Sequence, residues 1–285
     1  MDISLSIESF PLAASTVTDM KALLGLFQTD YSSVLHEPLW DRPDSRGFAV
    51  MAYTAEDRLI GFAVSADMVG LHQYEWSVLV HPDFRRLSIG SALADGIRHG
   101  HSQRQAEGDL AAFIENPEAE AFLENLGYES AFSEILLGVE PLEHFELPNG
   151  VEIAPYSGER EALEKLLVSA FDEEVLPVLS YNLEAAGRDV WVMKTNGALA
   201  ATATLLEEGN DLWITAFAVS PHLQGQGYGQ AFLRWSRHQA LLRNKKQVLL
   251  DVETDNGALR VYEKAGFEPV SKVDYWKHIS NDEEE

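Results

Sequence analysis

The chain has 285 residues, 46% hydrophobic and 24% charged, which is enough apolar material for one or two cores and too much for wholesale disorder. Its 21 basic and 46 acidic side chains leave a formal charge of −25, a surface that repels phosphate backbones and anionic lipid and disfavours nucleic-acid binding as a main role. With no cysteine, disulfides, thiolate metal sites and thiol nucleophiles are excluded, and a reducing cytosol is the expected setting.

The opening segment MDISLSIESF has neither the basic start nor the long apolar stretch of a secretory leader. Apolar runs such as Leu59–Val64 are too short to span a bilayer, so a soluble, cytoplasmic chain is expected. In the first half, strands are predicted at Gly47–Tyr53, Arg58–Ala66 and Tyr74–Val80. A helix follows Ile89, then a strand at Asp109–Ile114 and a helix over Glu118–Asn125. Pro141, Pro148 and Gly150 punctuate a charged connector over Val139–Gly150. Beyond it, Gly150–Pro155 reads as a short strand, and Glu159–Phe171 as a helix with Leu163, Leu166, Leu167 and Ala170 on one face. Val190–Lys194, Ala198–Leu206 and Leu212–Val219 form a predicted antiparallel meander, with turns at Asn196-Gly197 and Gly209-Asn210. A helix over Gln226–Leu242, a strand at Gln247–Glu253, a helix over Gly257–Ala265 and one or two strands in Phe267–His278 complete the chain.

The two halves repeat one pattern. Val80 and Val219, Pro82 and Pro221, Gly90 and Gly229, and Gly127 and Gly266 are each 139 residues apart. Two homologous domains are expected, at 1–140 and 150–285, each a mixed α/β fold whose largely antiparallel sheet is flanked by helices.

The glycine-rich turn Gln224-Gly225-Gln226-Gly227-Tyr228-Gly229 lies between a strand and a long helix. Glycines let the backbone curl so that several N–H groups point inward, and a helix N-terminus adds partial positive charge, which together suit an anion. The Lys-Ser/Thr of a Walker A loop is absent, because Gln230 and Ala231 follow. The preceding meander disfavours a Rossmann site.

Val-x-Pro followed by Gln/Arg-x-x-Gly-x-Gly/Ala at a helix start resembles the acetyl-CoA signature of the GNAT superfamily of N-acetyltransferases. Leu250–Asn256, Ala258 and Tyr262–Phe267 are similar to that family's closing motif, in family order and spacing. The likeness covers the whole second half. It implies acetyl-CoA as cosubstrate, with main-chain groups of Phe217, Ala218 and Val219 on the pantetheine arm and acetyl carbonyl. It also implies that Gln224, Gly225, Gln226, Gly227, Tyr228, Gly229 and Gln230 hold the pyrophosphate. Tyr262 would donate a proton to the departing thiolate. Family spacing puts Asp255 at the asparagine position, with Asn256 the neighbouring candidate cofactor contact.

The first half departs from that pattern. Its turn reads Arg85-Arg86-Leu87-Ser88-Ile89-Gly90, and Leu123 stands where the second half has Tyr262, so this half is expected to lack chemistry. Arg85 and Arg86 still offer charge to a phosphate.

A carboxylate must take the acceptor amine's proton. Asp251, Glu253 and Asp255 share one strand face, and Glu253 is taken as the catalytic base. Asp172, Glu173 and Glu174 follow the first helix of the second half, near where the family's acceptor pocket lies. The acidic surplus favours a cationic small-molecule or peptide amine. Arg243, Lys245 and Lys246 suit either the 3′-phosphate of coenzyme A or a helix C-terminus. The 9 histidines show no metal spacing, and His99 and His101 read as surface residues. An N-acetyltransferase using direct attack is expected, as a monomer (an internal pseudo-dimer) or a homodimer. The alternative is a non-catalytic acyl-CoA-binding or regulatory module.

Overall fold

A computed structural model describes residues 2–279 apart from 69, 255 and 256. In chain order the first elements are β1 (Ile3–Ser9), α1 (Ala14–Leu24), β2 (Gly47–Thr54), β3 (Leu59–Asp67), β4 (Gln73–Val80), α2 (Ile89–Arg104), β5 (Gly108–Ile114), α3 (Pro117–Asn125) and β6 (Tyr128–Val139). They are followed by β7 (Val151–Pro155), α4 (Arg160–Phe171), α5 (Val175–Glu184), β8 (Arg188–Thr195), β9 (Ala198–Glu208) and β10 (Asp211–Val219). The chain closes with α6 (Tyr228–Leu242), β11 (Gln247–Glu253), α7 (Leu259–Lys264) and β12 (Glu268–His278). Every predicted element is present, and Phe267–His278 yields a single strand. β1, α1, α5 and β6 lie outside the sequence reading. α5 carries Pro177, a breaker in a sequence scan, but a first-turn proline lacks only an N–H that has no intrahelical partner.

The chain forms two compact units: residues up to Ser133 together with those from Val273, and Glu134–Lys272. In the first, β1 to β4 form an antiparallel meander, and β4 runs parallel to β5 from Gln73 to Trp76. The other edge of β5 is paired antiparallel by Val273–Lys277 of β12. α2 packs on one face against Phe48, Val50 and Trp76, while Met20, Leu35 and Trp40 cover the other face over Phe62.

The second unit repeats the plan. β7 to β10 are antiparallel, β10 and β11 are parallel from Asp211 to Trp213, and Glu134–Val139 of β6 pairs with β11. Each unit's sheet is therefore closed by a strand segment encoded in the other repeat. α6 buries a helical stripe of Ala231, Phe232, Trp235, Ser236 and Ala240 on Ala203, Leu205, Ile214 and Leu250. A fully buried side chain such as Phe232 contributes roughly 1.5–3 kcal/mol. α4 and α5 cover the opposite face of the sheet, through Leu163, Leu167 and Leu179 against Val190, Val192 and Ala218.

Candidate active site

The glycine turn of the second unit has the expected backbone. Gly225 and Gly227 sit at φ 75° and 89°, in the left-handed region that glycine enters without a Cβ penalty. Nothing lies within 4 Å of where a Cβ would project from either residue, so the turn is open on its outer side. α6 starts from Gly227 with no side-chain cap. Its first-turn amides thus have neither intrahelical partners nor a capping oxygen, the arrangement that receives an anion. The side chains of Gln224 and Gln226 brace the turn by donating to the carbonyls of Val219 and His222 at 3.2 and 3.1 Å, and Gln230 donates to the Val261 carbonyl.

Just upstream, β10 carries a bulge. Thr215 pairs with Thr204 and Ala218 with Thr202, so one extra residue stands between them. Ala216, at φ 49°, is the left-handed residue in the bulge. Ala216 and Phe217 have no ladder partner on β9, so their main-chain groups are left out of that ladder. Pairing of β10 with β11 stops at Trp213–Leu249, so the two strands part beside the bulge and leave a cleft.

The two faces of the sheet present different chemistry to that cleft. On the α6 face, Phe217 packs between Phe232 and Tyr262, with ring centroids 5.7 and 6.2 Å away. Tyr262 is 9% exposed, and burial pushes its phenol up to about 12. On the opposite face lie Trp213, Thr215, Asp251 and Glu253, because Val248, Leu250 and Val252 take the alternate positions into the core. The Thr215 hydroxyl oxygen is buried with no hydrogen-bond partner. Glu253 is exposed and directly opposite Glu134 of β6. Asp251, like Glu253, is exposed at its surface. Desolvation by the protein around it, with the charge of Glu134 adding to it, pushes its carboxyl up to about 7. Asp255 and Asn256 lie outside the described residues.

Thr215, Ala216 and Glu134 were missed by the sequence reading. A signal for the bulge was present: upstream of Ala216 the repeat offset falls from 139 to 138, as the pairing of Gln73 with Gly108 and of Asp211 with Gln247 makes plain.

In the first unit the corresponding turn keeps its conformation without the glycines. Arg86 and Ser88 sit at φ 62° and 60°, at a cost of roughly 1–2 kcal/mol each. A cavity of about 410 Å³ lies against this turn, lined by Leu79, Phe84, Arg86, Phe113, Asn116 and Phe122 among others. β4 has no bulge: Ser77 and Val78 pair in register with Val64 and Ala63. Arg85 is bound to Glu118 at 3.1 Å, and Leu123, at Tyr262's place in the repeat, is wholly buried.

Other expectations are corrected. Arg243 pairs with Asp189 and Glu207 at 3.0 and 3.1 Å, and Lys245 with Glu207 at 2.8 Å. These cations lie beyond the C-terminus of the 15-residue helix α6, about 22 Å from the glycine turn, too far to serve the same ligand's phosphates. His99 is exposed as expected, but His101 is buried, sharing a 2.7 Å hydrogen bond with the Ser65 hydroxyl and packing on Phe48 and Tyr74. Among the described residues no cluster of three potential ligands could hold a metal, and no helix is long and apolar enough to cross a membrane.

The sequence matches the acetyltransferase (GNAT) family over residues 18–128 and again over 159–267. It is 32% identical over 224 residues to a mycothiol acetyltransferase of Mycobacterium sp. (strain JLS), covering 69% of this chain and 71% of that one. To the mycothiol acetyltransferase of Geodermatophilus obscurus it is 26% identical over 249 residues, covering 78% and 79%. Its fold is similar to that of a GCN5-related N-acetyltransferase from Sphaerobacter thermophilus, with TM-score 0.71, 17% identity and coverage of 95% and 94%. A tandem GNAT protein from the clavulanic acid biosynthesis pathway gives TM-score 0.66 at 15% identity over 96% and 98%.

Proposed function

The chain belongs to the acetyltransferase (GNAT) family and is an acetyl-CoA-dependent N-acetyltransferase, and from that premise we propose that its chemistry resides in the second unit. The observation that carries this reading is the coincidence, in one cleft, of the Ala216 bulge, the open glycine turn and Tyr262. The first unit lacks the bulge and the phenol.

In this reading the amides of Gly225–Gln230 hold the pyrophosphate. Main-chain groups of Phe217, Ala218 and Val219 take the pantetheine arm and the acetyl carbonyl, and the strand parting after Trp213 admits the thioester. Tyr262 approaches from the α6 face and the carboxylates from the other. The amine therefore attacks from the Asp251 and Glu253 side while sulfur departs toward Tyr262. A C–N bond forms, the C–S bond breaks, and sulfur leaves with the electron pair. Tyr262, still protonated well above neutral pH, shares its proton with sulfur as negative charge develops. No acyl-enzyme is needed.

Asp251, Glu253 and Glu134 give the acceptor side an anionic character that suits a cationic amine. The mycobacterial relatives support a small-molecule acceptor. Release of coenzyme A over a panel of small amines tests the reading. Tight acetyl-CoA binding without turnover on any amine overturns it.

A second reading concerns the first unit. Its cavity and its retained left-handed turn favour binding of an acyl-CoA-type ligand there without chemistry. Calorimetric titration with acetyl-CoA separates the cases: two sites support it, and one site, abolished by substitution in the Gly225–Gly227 turn, removes it.

A further inference from the structure

The cleft holds two acidic residues of β11 able to face an incoming amine, and their surroundings differ. Asp251 is two residues past Leu249, where pairing with β10 ends, so it stands at the root of the parting strands. Glu253 is two positions further out, roughly 7 Å along the strand, and both carboxylates are exposed. Asp251 shares its face with Thr215, whose buried hydroxyl oxygen has no partner, and the next residue of β10 is the bulged Ala216. Across the ladder Asp251 faces the apolar Leu136, with Glu134 at the diagonal position. The charged groups presented to it by its neighbouring strands are Glu253 on β11 and Glu134 on β6, while Trp213 and Thr215 on β10 are uncharged.

We infer that Asp251 accepts the proton of the attacking amine, and that Glu134, encoded in the first repeat, is the positioning residue that keeps Asp251 receptive. The inference rests on the acetyl-transfer reading above and sharpens it, because it places Glu253 in acceptor binding instead. As the nitrogen forms its bond to the acetyl carbon, its N–H proton passes to the Asp251 carboxylate, directly or through one water. The sulfur leaves with the electron pair of the broken C–S bond. A carboxyl titrating near neutral pH is matched to this task, being ionised enough to act and basic enough to hold the proton. Its exposure to solvent lets the proton leave between turnovers.

The test uses the full-length chain and the best amine from the coenzyme A release panel. kcat is measured against pH, and acetyl-CoA affinity by calorimetry. D251N is expected to lower kcat about 100-fold or more while leaving acetyl-CoA binding unchanged. E134Q is expected to move the acid limb of the wild-type profile to lower pH, because one neighbouring negative charge is gone. E253Q is expected to raise KM for the amine and to move the limb less than E134Q does. A D251N enzyme that keeps its rate, or an E134Q profile that does not move, overturns this inference and leaves acetyl transfer standing. A protein that binds acetyl-CoA but acetylates no amine overturns both.

Discussion

The Tyr262 and Phe217 ring centroids are 6.2 Å apart, which sets the phenol of α7 beside the stretch of β10 that has left its ladder. The Tyr262 hydroxyl makes no hydrogen bond to another described residue, so its oxygen contributes little to folding in the free protein. Tyr262→Phe should therefore leave the Tm almost unchanged and acetyl-CoA affinity intact, while kcat falls about 100-fold. Steady-state kinetics and a thermal melt on the same preparation check both halves of this prediction.

The turn in each repeat makes the opposite prediction for stability. Gly227 needs its positive φ, and Ser88 holds the same conformation with a Cβ. Ser88→Gly should relieve that strain and stabilise the protein by about 0.5–1 kcal/mol after the added freedom of the unfolded chain is counted. Gly227→Ala should cost about 1 kcal/mol, because a Cβ is strained at its φ of 89°, and weaken acetyl-CoA binding to the extent that relief of this strain turns the neighbouring amides. Chemical denaturation curves and calorimetry decide each.

Much of this was legible in the residues. The 139-residue offset, the glycine turn and the hydrophobic periods located both repeats and nearly every central strand, because buried faces impose strict spacing. β6 was not legible: its Glu134–Val139 segment completes the second unit, a long-range pairing that no local pattern encodes. Asp251 was visible as a candidate, but its distinction from Glu253 depends on where the strands part and on Glu134 across the ladder. His101 failed as a surface residue because the Ser65 partner that satisfies it lies 36 residues away.

His36 should make the first unit acid-sensitive. It is 6% exposed, its Nε2 has no hydrogen-bond partner, and burial pushes its imidazole down to about 4, against a smaller opposing effect of Glu75. The unfolded chain takes up this proton near pH 6.5 and the folded one near 4, so stability is present above 6.5 and is lost as the pH falls toward 4. The loss is on the order of 3 kcal/mol from this residue. Asparagine tolerates the left-handed backbone at this position, where φ is 52°. His36→Asn should flatten the change in unfolding free energy between pH 7.5 and 4.5; an unaltered slope would remove His36 as its source.

Asp251 has the opposite sign. Its folded carboxyl titrates near 7 and the unfolded one near 3.8, so folding binds a proton between those values and stability falls as pH rises through them. Asp251→Asn should raise the Tm at pH 8 and leave it unchanged at pH 3.5. Paired melts at the two pH values check this without any substrate.

Deleting Ala216 tests the bulge itself. The deletion gives β10 the uninterrupted register that β4 already has, where Ser77 and Val78 pair with Val64 and Ala63. Because the first unit folds around such a ladder, the deletion should be tolerated, with circular dichroism preserved and the Tm within a few degrees of the parent. Acetyl transfer should fall at least 100-fold, because the main-chain groups of the bulge return to pairing with β9 and no longer face the acetyl carbonyl. A deletion variant that stays folded and retains full kcat would show that the cleft works without the bulge, and that the first unit is silent for want of a phenol at Leu123.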